Sequence, residues 1–305
     1  MVEIILEKIV RIFLILLLGL LCYRKGLLDD PSIGKLSDLL LMIINPMVIF
    51  VSYQMDYNPQ LLHNLFLTMG ISAAAFAVQI LLVHLLVPQK GNGSIERLCA
   101  VYGNCGFIGI PLINSLYGRE GVFYLTAYLT VFHLFFWTHG VVVMAGKTDW
   151  KSTAQKILSP AIIGVMLGLV CFLARIRLPE TVVGAMDSVG SMNTPLAMLV
   201  AGATLGQSDF RTCFGNRRAY WISALKLLLV PLATIVLLLP MKAPEMIAAV
   251  LLIAAACPTA ASCTMFALKY KRDGFYASRI FAVTTVACVL TIPAVVWLAE
   301  LLGVL

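Results

Sequence analysis

Ten apolar stretches, each close to the length needed to cross a bilayer, follow one another along this 305-residue chain. They run over 3–22, 33–51, 61–87, 97–116, 121–145, 157–174, 186–205, 219–239, 244–269 and 279–302. A transmembrane helix needs about 20 mostly apolar residues, and the connections here are too short to hold a soluble domain. The chain is 61% hydrophobic and only 12% charged, with mean hydropathy +0.95, whereas a soluble domain carries about 25% charged residues. An all-α membrane protein of ten transmembrane helices is expected. The first stretch, flanked by Glu3 and Glu7 with no small-residue cleavage site after it, reads as an uncleaved span rather than a signal peptide.

The chain also repeats itself. Pro46 and Pro195 lie 149 residues apart, and so do Asp38 and Asp187, Glu96 and Glu245, and the dipeptides Ala100-Val101 and Ala249-Val250. Residues 1–150 and 151–305 therefore read as two five-helix units. Because five is odd, the second unit enters the membrane from the opposite side, giving an inverted repeat of the kind found in secondary transporters. Lysines and arginines sit asymmetrically. Fifteen, among them Lys147, Lys151, Lys156 and Arg211, fall in loops on one side, and four fall on the other. The positive-inside rule then places both termini outside a cell (inner or plasma) membrane, so the net charge of +7 signals topology and not a nucleic-acid partner. The eight cysteines, Cys213 among them, and the four histidines (His63, His84, His133, His139) show no metal-ligand spacing. No metal, no cofactor and no enzymatic nucleophile–base pair is expected.

Two stretches contain residues that interrupt a helix. The fourth reads Gly103-Asn104-Cys105-Gly106-Phe107-Ile108-Gly109-Ile110-Pro111. Proline removes a backbone donor and glycine removes side-chain bulk, so continuous helix is disfavoured. The ninth reads Cys257-Pro258-Thr259-Ala260-Ala261-Ser262-Cys263-Thr264, with small residues and hydroxyls around the proline. One reading is a pair of kinked helices packed through small residues. The other is a functional discontinuity, since freed backbone groups are tolerated in a membrane only against protein or a watery cavity. Two breaks at matched places would cross near the bilayer midplane, where helix N-termini favour an anion. The second and seventh stretches carry Asn45-Pro46 and Asn193-Thr194-Pro195, read either as capped kinks or as asparagines lining the cavity.

Lys226 lies inside the eighth stretch. It is read either as snorkelling toward the headgroups past Arg218 or making a structural contact, or as a substrate or coupling charge. His133 and His139 in the fifth stretch and His84 in the third are read either as hydrogen-bonded packing residues or as proton carriers near neutral pH, with His133 the second coupling candidate. Aspartate and glutamate occur only at the ends or in the first part of the stretches, which argues against a carboxylate-based cation site at the midplane.

The run from Gly103 to Leu112, with Asn104 seven positions before Pro111, closely resembles the fourth-helix motif of the auxin efflux carrier family. The stretch from Pro258 to Ala267 and Tyr270 is similar to that family's ninth-helix motif, and the resemblance covers the whole chain. It implies the crossed-helix fold shared with bile-acid symporters and some sodium/proton antiporters. Helices 1, 2, 6 and 7 would form a scaffold, as a homodimer, and helices 3–5 and 8–10 a transport domain that moves as an elevator. Members of the family move organic anions: auxin in plants, malate or malonate in some bacterial cases. Asn104 and Pro111 would mark the first half of the substrate site. Plant members place a further proline where this chain has Cys263, so the second crossing point falls anywhere from Pro258 to Cys263. The resulting expectation is a carrier for a small organic anion of the carboxylate class. Asn104, Cys105, Gly106, Pro111, Pro258, Thr259, Ser262 and Thr264 form its site, and Asn45 and Asn193 face it from the scaffold. Proton or sodium coupling is left open. The alternatives are an ion-coupled symporter of the bile-acid type and a channel with the same crossed helices.

Overall fold

The computed structural model describes residues 2–145, 159–207 and 216–305, with the side chains of 2–5 excepted. The boundary expected at 150/151, the first residues of the sixth stretch, and Lys147, Lys151, Lys156, Arg211 and Cys213 lie outside the described residues. What is described is helical. The first half holds α1 (Val2–Arg24), α2 (Asp30–Leu39), α3 (Asn45–Ser52), α4 (Pro59–Leu86), α5 (Gly93–Val101), α6 (Ile110–Phe135) and α7 (Val141–Ala145). The second holds α8 (Pro160–Leu173), α9 (Glu180–Ser191), α10 (Asn193–Gly206), α11 (Arg217–Ala224), α12 (Val230–Leu238), α13 (Glu245–Ala256), α14 (Ala261–Lys269) and α15 (Gly274–Leu301). Single π-helical turns at Leu40–Ile44, Cys105–Gly109, Phe136–Gly140 and Leu225–Leu229 join several of them.

Among the described residues, five helical stretches are long and apolar enough to cross a membrane: 30–52, 59–86, 105–145, 217–241 and 274–301. Shorter apolar helices, Pro160–Leu173 and Glu245–Ala256, stand beside them. The fourth and fifth stretches meet in one helical run that reverses at Gly118, whose φ of 59° and ψ of −147° suit glycine alone. Pro46 and Pro195 each fall within the first turn of a helix, α3 and α10, where a missing N–H costs little.

The lipid-facing exterior is rich in exposed leucine, valine and phenylalanine, as expected where the solvent is hydrocarbon. At the centre lies α13, whose residues from Ile247 to Ala256 are all at most 1% exposed. Close contact between helices rests on small residues. α1 and α10 touch backbone to backbone: a Cβ on Gly202 would lie 1.8 Å from the Leu16 carbonyl oxygen, and one on Gly19 2.2 Å from that of Leu199. Gly202→Val is therefore expected to separate the two helices and cost about 3 kcal/mol, read as a lowered melting temperature in detergent. Gly184→Ala is the control, because nothing lies within 4 Å of a Cβ there, and it should melt like the wild type.

Polar contacts join α5 to α11 and α15. Arg218 holds Glu96 through two hydrogen bonds, Nε to Oε1 at 3.0 Å and Nη2 to Oε2 at 2.8 Å, and the Tyr276 hydroxyl donates to Oε1 at 2.9 Å. Glu96, which its place in the sequence marks only as the start of a span, is 5% exposed and satisfied by both partners.

Candidate substrate site at the paired helix breaks

Both interrupted stretches open into extended backbone. The first break spans Tyr102–Asn104, between α5 and the π turn that leads into α6. The second spans Cys257–Ala260, between α13 and α14. The two breaks pair with each other. The Asn104 N–H donates to the Pro258 carbonyl at 2.7 Å, and the Ala260 N–H donates to the Tyr102 carbonyl at 3.0 Å. Gly103 and Thr259 thus form a one-residue antiparallel bridge. Gly103 sits where a Cβ would meet the Lys226 ammonium at 3.1 Å and the Cys257 carbonyl oxygen at 3.3 Å.

A helix that stops inside a membrane leaves its last carbonyls without intrahelical donors. Here Lys226 and the opposite half of the chain supply donors. For α5, the Cys99 carbonyl accepts from Thr259 Oγ1 at 2.9 Å and Val101 from Lys226 Nζ at 3.4 Å, while Leu98, which keeps the Tyr102 N–H of its own helix, also accepts from Cys263 Sγ at 3.7 Å. For α13, Ala255 accepts from Lys226 Nζ at 3.1 Å and Ala254 from Cys105 Sγ at 3.3 Å. Lys226 is fully buried. Its ammonium lies between the C-terminal ends of both half-helices and does not reach for the headgroups, so the structure removes the snorkelling reading.

The expected site residues divide into three groups. Asn104, Cys105 and Gly106 begin the second half of the broken fourth stretch. Asn104 caps it: its side-chain Oδ1 accepts from the Phe107 N–H at 3.4 Å. Its Nδ2 is buried and has no hydrogen-bond partner. Asn45 and Asn193 are brought together, with Asn193 Nδ2 donating to Asn45 Oδ1. Asn193 Oδ1 is then left buried without a partner, and Asn45 Nδ2 lies 3.9 Å from where a Cβ on Gly106 would be. One buried amide donor, Asn104 Nδ2, and one buried amide acceptor, Asn193 Oδ1, are thus left without a partner.

Pro258 and Thr259 form the second break itself, at the Pro258 end of the stretch expected to hold it. The Thr259 hydroxyl is committed to Cys99, and its N–H is 3.2 Å from Thr284 Oγ1 as donor. Thr259 therefore builds the break rather than presenting a hydroxyl to a ligand. Ser262 and Thr264 are half-buried in α14.

Pro111 and His133 stand apart from the break. Pro111 is the second residue of α6, seven positions beyond Asn104, where a proline starts a helix instead of opening one. His133 uses Nδ1 on the Leu129 carbonyl of its own helix at 2.7 Å and packs against Phe132.

Comparison with known proteins places this architecture. A family model described as a membrane transport protein matches the chain twice, over residues 4–153 and again over 147–297. An uncharacterized transporter of Methanothermobacter thermautotrophicus is 24% identical over 234 residues, covering 74% of this chain and 76% of that protein. With a double family match that takes in nearly every residue, the chain is a multi-pass membrane transport protein of the auxin efflux carrier family.

Proposed function

We propose that the protein is a secondary carrier for a small organic anion of the carboxylate class, bound beside the paired breaks. One observation carries the reading. Asn104 holds its own helix end with Oδ1 and leaves Nδ2, a buried donor, without an acceptor. A buried unpaired donor costs roughly 1–3 kcal/mol, and a carboxylate oxygen would satisfy it. The surroundings suit an anion. The helix beginning at Cys105 directs its N-terminal dipole to the break, and the ammonium of Lys226 offsets the negative ends of α5 and α13.

In this reading α1–α3 and α8–α10 form the scaffold, as a homodimer, and the remaining helices carry the breaks across the membrane by an elevator motion between two inverted halves. Asn45 and Asn193 belong to the scaffold and Asn104 to the moving part, so their contact with the ligand changes as the elevator travels. Lys226 acts as a fixed charge of the site.

The test is a melting scan of the purified protein against mono- and dicarboxylates, malonate and malate included, with and without sodium and across pH. A ligand present at 100 times its Kd stabilises the folded state by about 2.7 kcal/mol, so at least one carboxylate should raise the melting temperature. A panel in which no carboxylate does so under any condition overturns the reading.

A further inference from the structure

A second set of polar groups touches the first break through the side chain of Tyr102. The Tyr102 hydroxyl lies 2.8 Å from the Phe135 carbonyl oxygen and 2.9 Å from His139 Nδ1. A phenol has one proton and a carbonyl can only accept, so the hydroxyl donates to Phe135 and His139 donates its Nδ1–H to Tyr102. The neutral ring then has a bare Nε2, which is buried and unpartnered. His84 is arranged alike. Its Nδ1 is 2.9 Å from the Ile80 carbonyl oxygen, which fixes the proton on Nδ1 and leaves Nε2 bare. The centroids of the two rings are 5.1 Å apart.

The groups around this pair are few. From α5 come Tyr102 and Arg97, whose guanidinium donates to the Val87 carbonyl at 2.8 Å, to Gln89 Oε1 at 3.0 Å and to the His84 carbonyl at 3.5 Å. From α6, His133 is turned to its own backbone. α7 has no ionisable residue, and α14 brings Phe266 against Phe136 and Trp137. Among the described residues no carboxylate forms an ion pair with either imidazole.

We propose that His84 and His139 form a binding site for a single proton, and that Tyr102 transmits its occupancy to the paired breaks. The two rings present two acceptor nitrogens and no donor between them, so one proton serves the pair. A second would set two imidazolium charges about 5 Å apart beside a guanidinium, with no counter-charge among the described residues. Protonating His139 turns its bond to Tyr102 into a charge-assisted one. Tyr102 is also the residue whose carbonyl holds the Ala260 N–H at 3.0 Å. A proton on the histidines thereby acts on the hydrogen bond that joins the two halves of the site. In a carrier this is a coupling or gating proton, a consequence that rests on the function proposed above, whereas the proton site itself does not.

The test uses no substrate, so its outcome is separate from that of the carboxylate panel. The full-length protein in detergent, with isotope-labelled histidine and alanine, is titrated by NMR over about pH 5–8, the range in which imidazoles change charge. His84 and His139 are expected to take up one proton between them with a common midpoint, and the Ala260 amide signal should move with the same midpoint. Tyr102→Phe keeps the ring in its edge-to-face contacts with Phe136 and Phe132 and should leave the histidine titration in place while freeing Ala260 from it. Should Tyr102→Phe fail to fold, His139→Gln should likewise leave Ala260 insensitive to pH. Two independent protons, no titration, or an Ala260 signal indifferent to pH in the wild type overturns the proposal. So does an Ala260 signal that still follows pH in the variants.

Discussion

Asn104→Asp is expected to abolish carboxylate binding while leaving the melting temperature near that of the wild type. The asparagine does two jobs with two atoms. Oδ1 caps the Phe107 N–H, and a carboxylate does that at least as well at a helix N-terminus. Nδ2 has no partner in the protein, and aspartate replaces this donor with a negative charge facing the anion. A hydrogen bond to a charged ligand contributes about 1.5–3 kcal/mol, or roughly 10- to 100-fold in affinity, and repulsion adds to the loss. Asn104→Ala loses the cap as well, about 1 kcal/mol, so it should melt lower and bind weakly. Calorimetric titration with the best carboxylate from the panel measures both variants. Wild-type affinity in Asn104→Asp would remove Asn104 from the site.

Lys226→Met and Lys226→Gln are expected to separate two roles of the buried ammonium. It donates to Val101 and Ala255, and it supplies charge. Each helix C-terminus carries about half a negative charge, so the ends of α5 and α13 together nearly equal the one positive charge between them. Methionine removes donors and charge, leaving two buried carbonyls unpaired at about 1–3 kcal/mol each, against which stands the saving from no longer burying an ion. Glutamine keeps an N–H donor and removes the charge. The expected pattern is that glutamine melts above methionine, yet neither binds nor transports the carboxylate, because the uncancelled helix ends repel it. Uptake into proteoliposomes is the readout, with a fall of at least about tenfold, equivalent to 1.4 kcal/mol. Transport at the wild-type rate in the glutamine variant would reduce Lys226 to a hydrogen-bond donor.

Local chemistry explains what the sequence made legible. Gly103-Asn104 and Cys257-Pro258 announce helix interruption by composition, and both breaks fall there. Pro111 looks like the cause of the first break, yet it sits harmlessly in the first turn of α6, since proline hinders only the turn that precedes it. The 149-residue echo paired Asn45 and Asn193 to within one position, and the structure puts their amides in contact. What stayed hidden depends on tertiary placement. Counting along one helix leaves Lys226 free to lean toward Arg218, whereas packing of α5 and α13 around it decides where the ammonium goes. His139 meets Tyr102 across 37 residues, and Glu96 meets Arg218 across 122. No spacing rule connects such pairs.

The way the two breaks complete one another also bears on how the chain comes to be made. The carbonyls of Cys99, Val101 and Tyr102 find their donors in Thr259, Lys226 and Ala260. A nascent chain that has delivered only its first half to the bilayer therefore holds an unfinished helix end in hydrocarbon. At about 5–20 residues per second, the wait for the second half is on the order of ten seconds or more. During that interval the first half is a client for whatever shields polar backbone in the membrane, and the last step of assembly is the docking of one half onto the other.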